Sequence, residues 1–286
     1  LYLRERQGAF RAGRIVFAAV EGEHCMTMIV MNIGGTPVYL FGCIVAAGLL
    51  AGLLLARWSA WLYEEPFAVA VDILLAAILL GLVGARAGYV LLNWPDFASQ
   101  PAEIWRLWEG GYSIYGAGIG FLIAVFFTCR ARGASAWRWL DIFTPSLTLL
   151  LVFYAFSTFL LQAVVGTPLP LNLPNDHMLA EYVEFGYRPS GFEEYRYFRP
   201  VALYQTGLYL AIFLGTMLMA LPEARGRLWQ PGGLFLITAV SMAMVRFASG
   251  FFYLSTLPGL HRGQILALLF AGAALLAFWR RQRRLR

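Results

Sequence analysis

The sequence predicts an all-α integral membrane protein, a bundle of seven transmembrane helices, on three observations. Hydrophobic residues make up 60% of the chain and charged residues 13%, where soluble domains carry roughly a quarter charged. Seven apolar runs are each of a length that can cross a hydrocarbon core about 30 Å thick, which takes about 20 helical residues. Arginines gather in alternate connections, the signature of a chain whose loops face two different compartments.

The runs lie at about 37–57, 67–92, 112–129, 140–165, 200–221, 232–253 and 263–279. Residues 1–36 form a separate N-terminal segment. It begins with Leu, contains Met26, Met28 and Met31 as alternative starts, and has in 14–20 too short an apolar stretch for a secretory signal. Small residues recur four apart at Gly48 and Gly52, Gly84 and Gly88, and Gly116 and Gly120, a spacing that lets helices approach closely in lipid or clears room for a headgroup. The stretch Asp96 to Trp108 sets Ile104, Trp105, Leu107 and Trp108 among charges and reads as an interfacial amphipathic helix. In the fourth span Asp141 precedes Pro145 and reads as a helix N-cap. An outer loop at 167–199 carries Asp176, Glu181, Glu184, Glu193 and Glu194, and is long enough for a lid, a docking surface or a plain insertion.

Eleven arginines fall on one side: Arg57, Arg130, Arg132, Arg138, Arg225, Arg227, Arg280, Arg281, Arg283, Arg284 and Arg286. The other side holds Arg106, Arg188, Arg196, Arg199 and Arg262. The bias predicts a cytoplasmic C-terminus; Arg4, Arg6, Arg11 and Arg14 of the N-terminal segment run against it. The net charge of +6 comes with 22 basic residues, all arginine. A basic balance in a membrane protein is met by anionic lipid and calls for no nucleic-acid partner. Cys25, Cys43 and Cys129 show no paired spacing, and with His24, His177 and His261 they form no metal-ligand set. No cofactor motif is present.

Arg86 and Arg246 stand inside apolar spans. A charge there costs several kcal/mol without a partner, roughly 2.5 to 3.5 on an insertion scale, so both should face the interior. Two readings stay open: pairing with Asp72, Asp141, Glu109 or backbone carbonyls, or holding a bound phosphate.

The strings GLVGARAGYVLLNW at 81–94 and WEGGYSIYGAGIG at 108–120, with LDIFTPSL at 140–147, VGTP at 165–168, RPVALYQ at 199–205, PGGLF at 231–235, VRFASGFF at 245–252 and RGQ at 262–264, resemble prolipoprotein diacylglyceryl transferase. The resemblance implies a seven-span enzyme of the bacterial inner membrane. Such an enzyme moves a diacylglyceryl group from phosphatidylglycerol to the cysteine of a lipoprotein precursor and releases glycerol phosphate. It implies phosphatidylglycerol as ligand and a lipoprotein or membrane-protein complex as partner. Several polar positions of the family differ here. Its third-span histidine falls on Tyr115, its fourth-span arginine and asparagine on Ala155 and Thr158, and its sixth-span tyrosine on Met242, while its sixth-span arginine is kept as Arg246. In the fifth-span motif Arg199, Ala202 and Gln205 replace histidine, glutamine and glutamate, and after Arg246 Gly250 and Tyr253 replace glutamate and arginine.

These substitutions lead to a first expectation of a diverged, catalytically silent relative, a lipid-binding or structural subunit with no confident catalytic residue. Its lipid-binding candidates are Arg246, Arg86, Tyr115, Asn93 and Glu109. The first alternative is a working transferase with Arg246 on phosphate. The second is a lipid or small-solute transporter, which the lack of an evident inverted repeat disfavours.

Overall fold

The computed structural model describes residues 17–18, 27–33, 36–98, 101–106, 111–170, 180–185, 188–189, 191–221, 230–254 and 262–283. Strands β1 (Phe17–Ala18), β2 (Thr27–Ile33) and β3 (Thr36–Tyr39) form an antiparallel sheet in the order β1-β2-β3 ahead of the membrane part. The helices are α1 (Leu40–Leu62), α2 (Phe67–Leu92), α3 (Trp94–Ala98), α4 (Ile114–Arg132), α5 (Ala136–Leu160), α6 (Val201–Ala220), α7 (Gly233–Ser249) and α8 (Arg262–Arg283). Between α5 and α6, β4 (Glu181–Tyr182) pairs with β5 (Tyr197–Phe198). Seven helices among the described residues, all but α3, are long and apolar enough to cross a membrane. Their outward faces carry bare Leu54, Leu79, Leu91 and Phe127, as a bundle solvated by lipid requires.

The second span coincides with its expected range, and others shift for local reasons. The fourth, expected at 140–165, is Ala136–Leu160. Gly133 ends α4 with φ 67, and Ser135 stands at the N-cap of α5. Past Leu161, Gln162 turns the chain with φ 47. The third, expected from 112, starts at Ile114 because the Ser113 hydroxyl accepts the Gly116 N–H at 3.4 Å. The stretch Asp96 to Trp108 is not one helix. The described part is α3 and a 3-10 turn at Pro101–Trp105, where a proline in mid-stretch interrupts the helical hydrogen bonds.

Asp141 does not cap its own helix. It is buried six residues into α5, and its carboxylate accepts the N–H of Gly232 at 2.6 Å and of Phe235 at 2.9 Å. It therefore caps α7 from across the bundle, where Gly232, at φ 91, has no side chain to offer.

The glycine stripes pack tightly. A Cβ on Gly116 would come within 2.1 Å of the Gly84 carbonyl oxygen, and one on Gly120 within 2.1 Å of that of Leu80. α2 and α4 thus meet backbone to backbone, with no room for a headgroup at that seam. α5 runs between α1 and α6, and α7 packs on both α6 and α8. A buried apolar cluster of Ala56, Ala60, Ile73, Val125, Trp139 and Ile142 fills the arginine-rich end. There Arg132 pairs with Asp72, and Arg138 with Glu65 at 3.1 Å. The opposite end is where polar groups enter the interior.

Candidate functional site

Five helices deliver polar groups to one place at the end away from the arginine-rich loops. Arg246 lies in the last turn of α7, where the negative end of the helix dipole favours a cation. Its guanidinium donates to the Tyr253 hydroxyl and stands 5.0 Å from the centre of that ring. Tyr154 on α5 and Tyr209 on α6 lie within electrostatic reach of it, and Tyr115 on α4 is near enough to hydrogen-bond it. Gln205 of α6 donates to the Ser249 hydroxyl at 2.6 Å and to the Tyr253 hydroxyl at 2.7 Å. From α8, the Gly263 carbonyl accepts the Tyr115 hydroxyl at 2.7 Å, and the buried Gln264 donates to the Phe247 carbonyl at 3.1 Å.

Among the described residues no carboxylate meets Arg246. Its charge is surrounded by phenol hydroxyls and an amide, groups that orient around a cation without neutralising it. Asp72 is engaged with Arg132 and Asp141 with the start of α7. A guanidinium inside a membrane bundle with donors converging beside it is suited to a phosphate, whose oxygens accept charge-assisted bonds from Arg and further bonds from hydroxyls.

Arg86 has a different fate. Nε donates to the Ile104 carbonyl at 3.0 Å, Nη2 to that of Glu103 at 2.5 Å and Nη1 to that of Gly111 at 3.4 Å. The guanidinium also lies 5.4 Å over the Phe97 ring. Of the two readings of this arginine, the carbonyl pairing is present, and it ties the connection after α3 onto α2.

A family model for prolipoprotein diacylglyceryl transferase matches residues 28–280. The chain belongs to this family. Among similar relatives, the phosphatidylglycerol–prolipoprotein diacylglyceryl transferase of Synechocystis sp. is 30% identical over 185 residues, covering 65% of this chain and 63% of its own length. The enzyme of the same name from Geobacillus kaustophilus is 30% identical over 191 residues, with 65% and 69% covered. That of Halalkalibacterium halodurans is 25% identical over 261 residues, with 89% and 86% covered. The chain thus spans under two thirds of the Synechocystis relative's length and most of the last one's.

Against this family the candidate residues divide. Arg246 and Tyr115 come together. Ala155 is fully buried and follows Tyr154, which faces the same arginine. Thr158 is buried, and its hydroxyl is turned back to the Ala155 carbonyl at 2.8 Å. Met242 is half-buried one turn before Arg246. Asn93 caps α2, its amide donating to the Tyr89 carbonyl at 3.0 Å. Glu109 lies outside the described residues. Tyr154, Tyr209 and Ser249 complete the cluster and carried no signal beyond being polar in apolar runs. Arg246 did carry one, as a charge inside an apolar span, whereas Tyr253 lies beyond the end of α7 in extended backbone, where helical spacing from Arg246 does not apply.

Proposed function

We propose that this protein holds a phosphatidylglycerol-type phospholipid with its phosphate on Arg246 and transfers the diacylglyceryl group to a cysteine thiol of a lipoprotein precursor in a bacterial inner membrane. One observation carries the reading: an arginine without a carboxylate partner among the described residues, ringed by tyrosine hydroxyls, in a chain of the diacylglyceryl transferase family. In the transfer, a bond forms between the cysteine sulfur and the glyceryl carbon while the bond from that carbon to the phosphate oxygen breaks. Glycerol phosphate departs with the electron pair, and the thiol proton goes to a base. Arg246 and the hydroxyls stabilise the charge that builds on the leaving phosphate, where donors fixed in advance act most strongly.

Ala155 and Thr158 support a second reading. At these family positions nothing charged stands, and Thr158 is engaged with its own helix. A protein so built would bind the same phospholipid without turning it over, as a subunit of a membrane assembly. Single-turnover transfer of labelled diacylglycerol from phosphatidylglycerol to a lipobox peptide separates the two. The transferase reading expects product, lowered by about 10²-fold or more in Arg246→Ala. No product from the natural protein beside an active relative, with phosphatidylglycerol still co-purifying, selects the second.

A further inference from the structure

A hydroxyl has one proton to give and oxygen lone pairs that accept, and the hydroxyls around Arg246 differ in where their protons go. Tyr115 gives its proton to the Gly263 carbonyl at 2.7 Å, and Ser249 gives its own to the Arg246 carbonyl at 3.1 Å. Tyr253 differs. Its oxygen accepts twice, from the Arg246 guanidinium and from the Gln205 amide at 2.7 Å, and its proton meets no acceptor among the described residues. Two donors saturate a phenol oxygen, so the O–H is left to point away from both. Ser249 fixes which way the Gln205 amide faces. With its own proton spent on the Arg246 carbonyl, Ser249 can only accept, and it does so from the same amide nitrogen at 2.6 Å.

The Tyr253 side chain is held from both ends. Its backbone lies against the start of the outer loop, where the Thr167 N–H donates to the Phe252 carbonyl at 2.9 Å and the Leu254 N–H to the Val165 carbonyl at 3.3 Å. Its oxygen is held by Arg246 of α7 and by the buried Gln205 of α6. Tyr253 and Arg246 are themselves only half-buried, so the open O–H and the remaining guanidinium N–H groups can be reached. A hydroxyl that already receives from a cation is polarised and donates more strongly. Such a donor, fixed beside an arginine and lacking an acceptor, is matched by a ligand with several anionic oxygens in one group, as a phosphate has.

We infer that Tyr253 is a second group that touches the phosphate, donating its O–H to one phosphate oxygen while Arg246 donates to another, and that Gln205 is the positioning residue that turns the O–H there. The inference rests on the reading above that sets the phosphate on Arg246. No proton leaves Tyr253 in the transfer. As the bond from the glyceryl carbon to the phosphate oxygen breaks, negative charge builds on the phosphate and the O–H bond to it strengthens, so the contact lowers the barrier more than it tightens binding.

The test pairs the single-turnover assay with phosphorus NMR of the retained lipid, both on full-length protein in phosphatidylglycerol nanodiscs. Tyr253→Phe should lose about 10²-fold in rate, the usual cost of one fixed donor, keep most of its bound phosphatidylglycerol, and move the phosphorus resonance of that lipid toward the free position. Gln205→Leu should slow the natural protein but add little to Tyr253→Phe, since it acts through that hydroxyl; a merely structural Gln205 would cost the same in both. If Tyr253→Phe does not fold, a tyrosine fluorinated beside its hydroxyl, placed at 253, keeps the ring and strengthens the donor. It should move the resonance away from the free position, and an unmoved resonance overturns the inference. A folded Tyr253→Phe with the natural rate and resonance, where Arg246→Ala loses both, overturns the role of Tyr253 and leaves phosphate on Arg246. A shift in resonance from a natural protein that transfers nothing upholds the contact and overturns the transferase reading alone. A natural protein with neither transfer nor a bound-lipid resonance overturns both.

Discussion

Asp141 and Glu181 are both buried carboxylates, and their partners separate their roles. Asp141 accepts two backbone N–H groups at the start of α7, so Asp141→Ala leaves the Gly232 and Phe235 donors unpaired in the interior. Each orphaned donor costs about 1–3 kcal/mol. The variant should melt several degrees lower in detergent, with Asp141→Asn, which keeps one acceptor, falling between. Glu181 has no such donors. Its carboxyl titrates near 7 in the fold against an ordinary 4.5, so it subtracts nothing below the ordinary value, and its penalty grows as pH climbs through 4.5 and levels off above 7. The thermal midpoint of the natural protein should therefore fall between about pH 5 and about pH 8 relative to that of Glu181→Gln; parallel midpoints would show that the carboxyl is not desolvated. Neither environment was legible in the sequence. Asp141 caps a helix whose first residues lie 91 positions away, and a local reading offers it only its own helix.

At the scale of elements, the seven spans were legible because lipid leaves the backbone no alternative to helix, and a run of about 20 apolar residues is then nearly sufficient. Their ends were less so, since they depend on single features such as the left-handed Gly133 and the Ser113 hydroxyl. The glycine pairs at 84, 88, 116 and 120 announced a close seam, and the structure decides between packing and headgroup room in favour of packing. Gly116→Ala drives a methyl into the Gly84 carbonyl, against backbone that cannot swing away. Overpacking of this kind costs roughly 1–3 kcal/mol or more. Gly118, two residues on, has open space around its Cα. Gly118→Ala should leave the melting temperature unchanged or slightly raised, since Ala favours helix, while Gly116→Ala lowers it and the yield of folded protein. Equal behaviour of the two would mean that α2 and α4 do not touch here. Arg86 extends the same seam by holding the carbonyls of Glu103, Ile104 and Gly111, a task that an arginine in a span reveals only once its neighbours are placed.

Over the whole molecule the two ends differ in kind. The apolar cluster and two ion pairs occupy the end with the arginine-rich loops, and Arg246, the tyrosines and Glu181 occupy the other. From the arginine bias we propose that the first end faces the cytoplasm, an orientation that would set Arg246 near the outer leaflet, on the side where the cysteine of a translocated precursor would emerge. This orientation is open to a direct test. In a background with Cys25, Cys43 and Cys129 replaced, one new cysteine goes at the exposed Glu194 beside β5 and another at the exposed Arg283 ending α8. A membrane-impermeant maleimide added to intact cells stripped of any outer membrane should label Glu194→Cys at once, and Arg283→Cys only after the membrane is opened. The reverse pattern would put the Arg246 cluster at the cytoplasmic end. A cysteine delivered after translocation could not reach it there, and lipid binding without transfer would become the better account of the cluster.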